Sequence, residues 1–267
     1  MKVWTVSNQK GGVGKTTTVV SLGGLLASWG FRVLLIDLDP HGALTTYLGH
    51  DPEALKTSVY TLFHDASLKK TDRPVMDYIV ATEFDNLALL PAVTAMATLD
   101  RQVATIGGMG LVIQNTLKRV ASRYDYVLID SPPMLGVLMI NALAACEQLI
   151  LPVITEFLAL KGLDRMMHTL NMVYKSRSKK PRYTIVPTMF DKRTRAAQDS
   201  LAQLKESYPE YTWGQFIPVD TKVREASQLG LPLSVYSPDT KAVLAYSALL
   251  EDLLALDAMS EAPNSVV

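Results

Sequence analysis

Two lysines, three glycines and two threonines are packed into Lys10-Gly11-Gly12-Val13-Gly14-Lys15-Thr16-Thr17, a spacing suited to phosphate chemistry. Glycines let the backbone curl tightly and turn successive N–H groups towards phosphate oxygens. Lys15 supplies a fixed charge for the β- and γ-phosphates of a nucleotide, and the Thr16 hydroxyl suits magnesium. A helix starting at Lys15 adds the positive end of its dipole. The general pattern, Gly-x-x-x-x-Gly-Lys-Ser/Thr, asks for glycine at position 9, where this chain has Gln9 followed by Lys10. Lys10 therefore stands outside the minimal loop, with its charge available elsewhere.

Two acidic motifs accompany the loop. Asp37-Leu38-Asp39-Pro40 ends one apolar run and Asp130 ends another, Tyr126-Val127-Leu128-Ile129-Asp130. Alternation along an extended chain points Asp37 and Asp39 to the same side. Phosphoryl transfer to water needs a group that orients the attacking molecule, and a carboxylate accepts its proton. Asp39 is placed for that task, while Asp130 is suited to hold magnesium through water. The Ser131-Pro132-Pro133 turn that follows is stiff, as a sensor of the γ-phosphate would have to be.

These residues need a frame that brings them together. Strands are expected at Val3–Ser7, Arg32–Asp37, Leu87–Leu90, Tyr126–Asp130, Gln148–Ile154, Tyr183–Thr188 and Gln215–Val219. Their continuous apolar runs suit a sheet covered on both faces. Helices are expected at Thr16–Ser28, ending near Gly30, and over 52–65, 111–122, 136–145, 157–175, 194–207, 221–228 and 239–256. Gly107-Gly108-Met109-Gly110 should break the helical stretch that begins near Leu99. The alternation implies an α/β, doubly wound, mostly parallel sheet with helices on both faces, in which ligands bind at the carboxyl ends of the strands. With no repeat or Pro-rich linker, 1–267 reads as a single domain, with 257–267 as a flexible tail.

Composition bounds the rest. The chain has 267 residues, 48% apolar and 19% charged, with formal net charge zero, which suits a globular enzyme. No apolar run approaches the roughly 20 residues that span a bilayer. The N-terminus runs straight into the loop motif, so no signal peptide is expected and a cytoplasmic location is. One cysteine, Cys146, excludes an intramolecular disulfide framework, and its apolar neighbours imply a buried thiol. Charge is uneven: Arg165 to Arg195 holds nine Lys or Arg and one acid, Asp191, whereas 196–267 holds four basic and ten acidic residues. Such a patch suits a polyanionic partner, or is a solvated basic surface.

Taken together, Lys10–Thr17, the 34–40 segment LLIDLDP, the 124–133 segment YDYVLIDSPP and the 217–227 segment IPVDTKVREAS resemble the ParA/Soj/MinD family of deviant Walker ATPases over essentially the whole chain. The likeness is closest to short, Soj-like ParA proteins. His41 and Ser131 depart from residues common in the family. The resemblance implies ATP and magnesium as cofactors, and a slow, partner-stimulated ATP hydrolysis with Lys10, Lys15 and Asp39 as its catalytic residues. It implies an ATP-dependent sandwich homodimer in which Lys10 reaches the partner's nucleotide. Nucleotide contacts fall on Lys10, Gly11, Gly12, Val13, Gly14, Lys15, Thr16 and Thr17, and on Met189, Pro218, Val219 and Asp220. The magnesium site falls on Thr16, Asp39 and Asp130. Non-specific binding of double-stranded DNA falls on Lys192, Arg193, Arg195, Lys222 and Arg224, with Lys175, Arg177, Lys179, Lys180 and Arg182 as a candidate extension. The cargo to be positioned is DNA or, by the likeness of the first residues and of the LDPHGALTTYLG stretch to chemotaxis-associated members, chemoreceptor arrays. Two alternatives are a MinD-like membrane switch and a biosynthetic enzyme of this fold, dethiobiotin synthetase-like or cobyrinic acid amidase-like. The acidic 247–267 end disfavours an anionic membrane.

Overall fold

Alternating side chains of each strand serve two different cores. In the strand Val33–Asp37 every residue is buried; Val33 and Leu35 join one apolar cluster while Leu34 and Ile36 join another on the opposite face. This is the burial that a period of two gives in a sheet with helices on both sides. The computed structural model describes residues 1–70, 72–103, 105–175 and 180–261. Among these, the strands are β1 (Lys2–Val6), β2 (Val33–Asp37), β3 (Val80–Ala81), β4 (Leu87–Leu90), β5 (Tyr126–Asp130), β6 (Gln148–Ile154) and β7 (Arg182–Thr188). They form one sheet in the order β3-β4-β2-β5-β1-β6-β7, parallel throughout except for β3 against β4.

The helices are α1 (Lys15–Ser28), α2 (Ala43–Tyr47), α3 (Val59–Ser67), α4 (Leu99–Val103), α5 (Val112–Arg119), α6 (Val137–Ala145), α7 (Phe157–Tyr174), α8 (Arg195–Ser207), α9 (Lys222–Gln228), α10 (Leu233–Tyr236) and α11 (Lys241–Glu261). One face of the sheet packs α1 and α11 through Val19, Leu22, Leu26, Tyr246 and Leu250. The other packs α3, α5 and α6 through Leu62, Phe63, Ile113 and Leu138, and α7 covers β6 and β7 through Leu163 and Met166. Central β1 pairs with β5 on one side and β6 on the other. The loops leaving β1, β2 and β5 therefore open together at the carboxyl edge. The doubly wound, mostly parallel sheet expected from the sequence is the fold observed.

Several boundaries differ. The 52–65 helix begins only at Val59, because Ser58 takes an extended conformation and accepts the Thr61 N–H at 3.5 Å as the cap. Gln215–Val219 is no ladder strand: the Ile217 N–H donates to the Pro187 carbonyl of β7 at 2.8 Å and Pro218 makes an isolated bridge to Phe190 just past it, but Pro218 has no N–H to extend the pairing. The two-residue β3 carried no periodic signal. The expected 257–267 tail is helical up to Glu261, and Asp257 is buried, accepting the Trp4 indole N–H at 3.0 Å and pairing with Arg182 at 2.9 Å. The rest of that tail, 262–267, lies outside the described residues. No described helix is long and apolar enough to cross a membrane.

Candidate nucleotide-binding site

Where β1 ends at Val6, the chain leaves the sheet as the 7–14 loop, and polar side chains pin it before the glycines begin. Asn8 Nδ2 donates to the Pro152 carbonyl at 2.8 Å while its Oδ1 accepts the Lys10 N–H at 2.9 Å. Gln9 Nε2 donates to Thr169 Oγ1 on α7 at 2.9 Å, so the residue in the place of the usual glycine anchors the loop to a helix. Gly12 (φ 73°) and Gly14 (φ 92°) are left-handed, which a β-carbon would strain. The Val13 carbonyl between them accepts the Thr188 hydroxyl at 2.9 Å. Helix α1 then begins at Lys15, and its leading N–H groups, without intrahelical acceptors, face the loop's concavity.

The two lysines occupy different surroundings. Lys15 is buried, at 9% exposure, and its charge acts on Asp130. Lys10 stands at the rim with Nζ 3.4 Å from Glu156 Oε2, just before α7. Glu156 was not legible in the sequence, because only the adjacency of β1 and β6 brings it there.

Behind the loop lies a pair of buried carboxylates. Asp130 Oδ2 accepts the Thr16 hydroxyl at 2.6 Å, while Oδ1 is buried without a partner among the described residues. Burial first, and then the charge of Asp37, push the Asp130 carboxyl well above the usual range; Thr16 and Lys15 pull the other way. An orphaned carboxylate oxygen beside a threonine hydroxyl fits a hydrated divalent cation, whose water would donate to Oδ1. Asp37 pairs in register with Asp130 and is likewise raised, mainly by burial. Its Oδ2 accepts both the N–H (2.9 Å) and the hydroxyl (2.7 Å) of Thr45, and Oδ1 accepts the Asp39 N–H at 3.1 Å.

Strand β2 stops at Asp37, so alternation does not extend to Asp39. Asp37 is fully buried, whereas Asp39 is half-buried in the following loop, its Oδ1 accepting the His41 N–H at 3.0 Å. Ser131 is buried with its hydroxyl donating to Ser7 Oγ at 2.7 Å, which ties the Ser131-Pro132-Pro133 turn to the start of the phosphate loop.

On the far side of the loop, Met189 adopts φ 53°, a strained value for a side chain of its size, and its Cε would lie 3.9 Å from a β-carbon on Gly14. Neighbouring Val219 is 55% exposed, and the Val219 N–H donates to the Phe190 carbonyl. Pro218 bridges Phe190, and Asp220 accepts the Lys222 N–H. Met189 thus approaches the phosphate loop at Gly14, and Pro218 and Val219 run beside Phe190, the residue next to Met189.

The basic patch is less free than its composition implies. Arg193 is held by Asp191 through contacts of 2.7 to 3.2 Å, Arg195 lies 3.7 Å from Asp199, and Lys222 pairs with Glu225 at 2.7 Å. Exposed Lys192 and Arg224 make no ion pair among the described residues. Of the candidate extension, Arg182 is committed to Asp257 and the Leu256 carbonyl and so leaves the patch. Arg177 and Lys179 lie outside the described residues; Lys175 and Lys180 are exposed.

A glycine-curled phosphate loop at the carboxyl edge of a doubly wound sheet, with a second lysine and a buried carboxylate behind its threonine, defines a P-loop ATPase of the deviant Walker type. Residues 1–183 match the AAA domain family model. The chain belongs to the ParA/Soj family of partitioning ATPases. The sporulation initiation inhibitor protein Soj of Bacillus subtilis is 34% identical, over 95% of this chain and 98% of its own. Among solved structures, the cobyrinic acid a,c-diamide synthase of Mycobacterium smegmatis with a bound ATP analogue and magnesium is 33% identical, covering 95% of this chain and 94% of its own with TM-score 0.80. A McdA–ATP complex from Cyanothece is 25% identical, covering 95% and 96%, with TM-score 0.83.

Proposed function

We propose that this chain is an ATP-driven dimerising switch that segregates or positions a cargo. The observation that carries it is the division between the two lysines. Lys15 is buried behind its own phosphate loop, while Lys10 waits at the exposed rim. One motif thus provides a charge for its own nucleotide and another for a nucleotide presented by a second copy.

In this reading Gly11, Gly12, Val13, Gly14, Lys15, Thr16 and Thr17 cradle the phosphates of ATP, and Met189, Pro218, Val219 and Asp220 border the adenine. Thr16 would hold magnesium, with Asp130 accepting from its water; bound there, the ion offsets phosphate charge. Asp39 orients the attacking water and takes its proton, and Lys10 of the facing copy stabilises charge that develops on the γ-phosphate. Closure of the dimer brings two copies of Lys192, Arg193, Arg195, Lys222 and Arg224 onto one DNA duplex, so that avidity couples ATP to DNA. Release follows hydrolysis that a partner protein accelerates.

Analytical ultracentrifugation with ATP tests the reading. Lys10→Ala should remain monomeric while binding a fluorescent ATP analogue within about threefold of the wild type, under about 0.7 kcal/mol. Asp39→Ala should bind ATP and accumulate as the dimer. An unchanged dimer population in Lys10→Ala would remove the main support for the switch.

A further inference from the structure

Thr45 has no role in the scheme above, yet it closes the loop that carries Asp39. It is fully buried in the first turn of α2. Its N–H and hydroxyl both donate to Asp37 Oδ2, at 2.9 and 2.7 Å, and the same hydroxyl oxygen accepts the Ala92 N–H at 2.9 Å, just beyond β4. The second oxygen of Asp37 accepts the N–H of Asp39 at 3.1 Å. One buried carboxylate therefore spans the loop from Asp39 to Thr45, and Thr45 ties that span to a neighbouring strand end.

Within the span, Asp39 is held on two further sides: its carbonyl accepts the Gly42 N–H at 2.9 Å and its Oδ1 accepts the His41 N–H at 3.0 Å. The backbone around Asp39 is thus fixed while its other oxygen, Oδ2, makes no hydrogen bond among the described residues. A hydroxyl can donate to one group while accepting from another, which neither valine nor alanine can reproduce. The N-cap of α2 is Gly42, which offers no side-chain acceptor, so Asp37 serves as the cap from across the loop.

We propose that Thr45 is a positioning residue for ATP hydrolysis. Acting through Asp37, it fixes the backbone of Asp39 and so aims the carboxylate that orients the attacking water. The inference rests on the role given to Asp39 above. Misplacement of a reacting group by about 1 Å is enough to cost on the order of a hundredfold in rate. Nucleotide affinity, set by the phosphate loop, does not pass through this network. A merely structural Thr45 would lower stability and affinity together; a positioning Thr45 lowers kcat alone.

The experiment compares wild type, Asp39→Ala, Thr45→Val and Thr45→Ser. It reads phosphate release at saturating ATP and magnesium, affinity for a fluorescent ATP analogue, and folding by circular dichroism. Thr45→Val should keep the affinity within about threefold while kcat falls at least about tenfold, and Thr45→Ser should recover kcat to within about threefold of the wild type. Wild-type turnover in Thr45→Val beside a slow Asp39→Ala overturns the inference. So does a parallel loss of affinity and kcat that serine does not rescue. Wild-type turnover in Asp39→Ala itself would instead sink the role of Asp39. Should Thr45→Val not fold, Asp37→Asn tests the same link: the amide keeps one acceptor and loses the other. Its kcat must fall about tenfold at retained affinity, and an unchanged kcat overturns the inference.

Discussion

The carboxyl edge of the sheet and the basic flank beside it treat charge in opposite ways. At the edge, Lys15 and Asp130 are buried, and one oxygen of Asp130 has no hydrogen-bond partner among the described residues. On the flank, Arg193, Arg195 and Lys222 are exposed or half-exposed, and each has an acid of its own within a few residues in sequence. A fold that buries a carboxylate without satisfying it has given up stability there, since such a group costs several kcal/mol unless something completes it. Exposed, paired charges cost little and contribute little. An unmet buried carboxylate next to the Thr16 hydroxyl and behind a glycine loop therefore supports a ligand site there, which a count of lysines and arginines does not do for the flank. Three predictions probe this contrast, with expected effects descending in size.

The largest concerns Lys15. Replacing it by alanine removes the one buried Lys or Arg among the described residues. Affinity for a fluorescent ATP analogue should fall at least about a hundredfold, about 2.7 kcal/mol. Retained affinity within about threefold would mean that the loop is held for structural reasons, and the contrast between edge and flank would collapse.

Asp130→Asn should have a middling effect, with two readouts of opposite sign. Magnesium affinity in the presence of ATP should fall about tenfold, the loss expected when a group that orients a metal's water is neutralised. Stability without nucleotide should move the other way. The folded-state pKa of Asp130 lies above its unfolded value, because burial and Asp37 disfavour the charged form. The folded protein therefore binds more protons, and stability present below the unfolded pKa is lost as pH rises through the folded one. In the wild type without nucleotide, Tm should accordingly decline as pH rises from about 5 to about 8, and Asp130→Asn should flatten that decline. A variant with unchanged magnesium affinity and an unchanged pH profile would show that the orphaned oxygen is of no consequence.

How far the sequence revealed these features depended on how local their causes are. The phosphate loop, β2, β5 and the Asp130 strand end were all legible, because glycine spacing and continuous apolar runs are read along the chain. The partners Glu156 and Thr45 were not, since β1 meets β6 and Asp37 meets Thr45 only once the sheet order and the 38–44 loop exist. The same holds for Asp257. It is the first residue of the expected 257–267 tail, yet it is buried against Trp4 and Arg182. The pairing within the basic flank was hidden for a related reason. Composition counts charges, but Asp191 and Glu225, which lie inside the very segments counted, fold back onto Arg193 and Lys222.

That pairing gives the smallest prediction. Asp191 does two jobs: its Oδ1 accepts the Arg193 N–H at 3.0 Å, closing a turn, and both of its oxygens accept from the guanidinium. Beside that guanidinium the Asp191 carboxyl is held at about 2, so it remains charged at any working pH. Asparagine keeps the acceptor for the turn and removes the counter-charge. If the flank binds DNA, Asp191→Asn should release Arg193 to a phosphate. The ATP-bound dimer, trapped with Asp39→Ala, should then bind unrelated duplexes about threefold more tightly, with a salt dependence steeper by about 0.9 for each further phosphate neutralised. Lys192→Glu and Arg224→Glu act on cations without a partner acid among the described residues, so they should weaken binding and make the slope shallower. An anisotropy titration at several salt concentrations separates the cases. Stronger binding with an unchanged slope would point to a general change in surface charge. If Asp191→Asn changes neither affinity nor slope while Lys192→Glu and Arg224→Glu weaken binding, Arg193 is only a staple for its own loop. The DNA contacts then lie with the two unpaired cations.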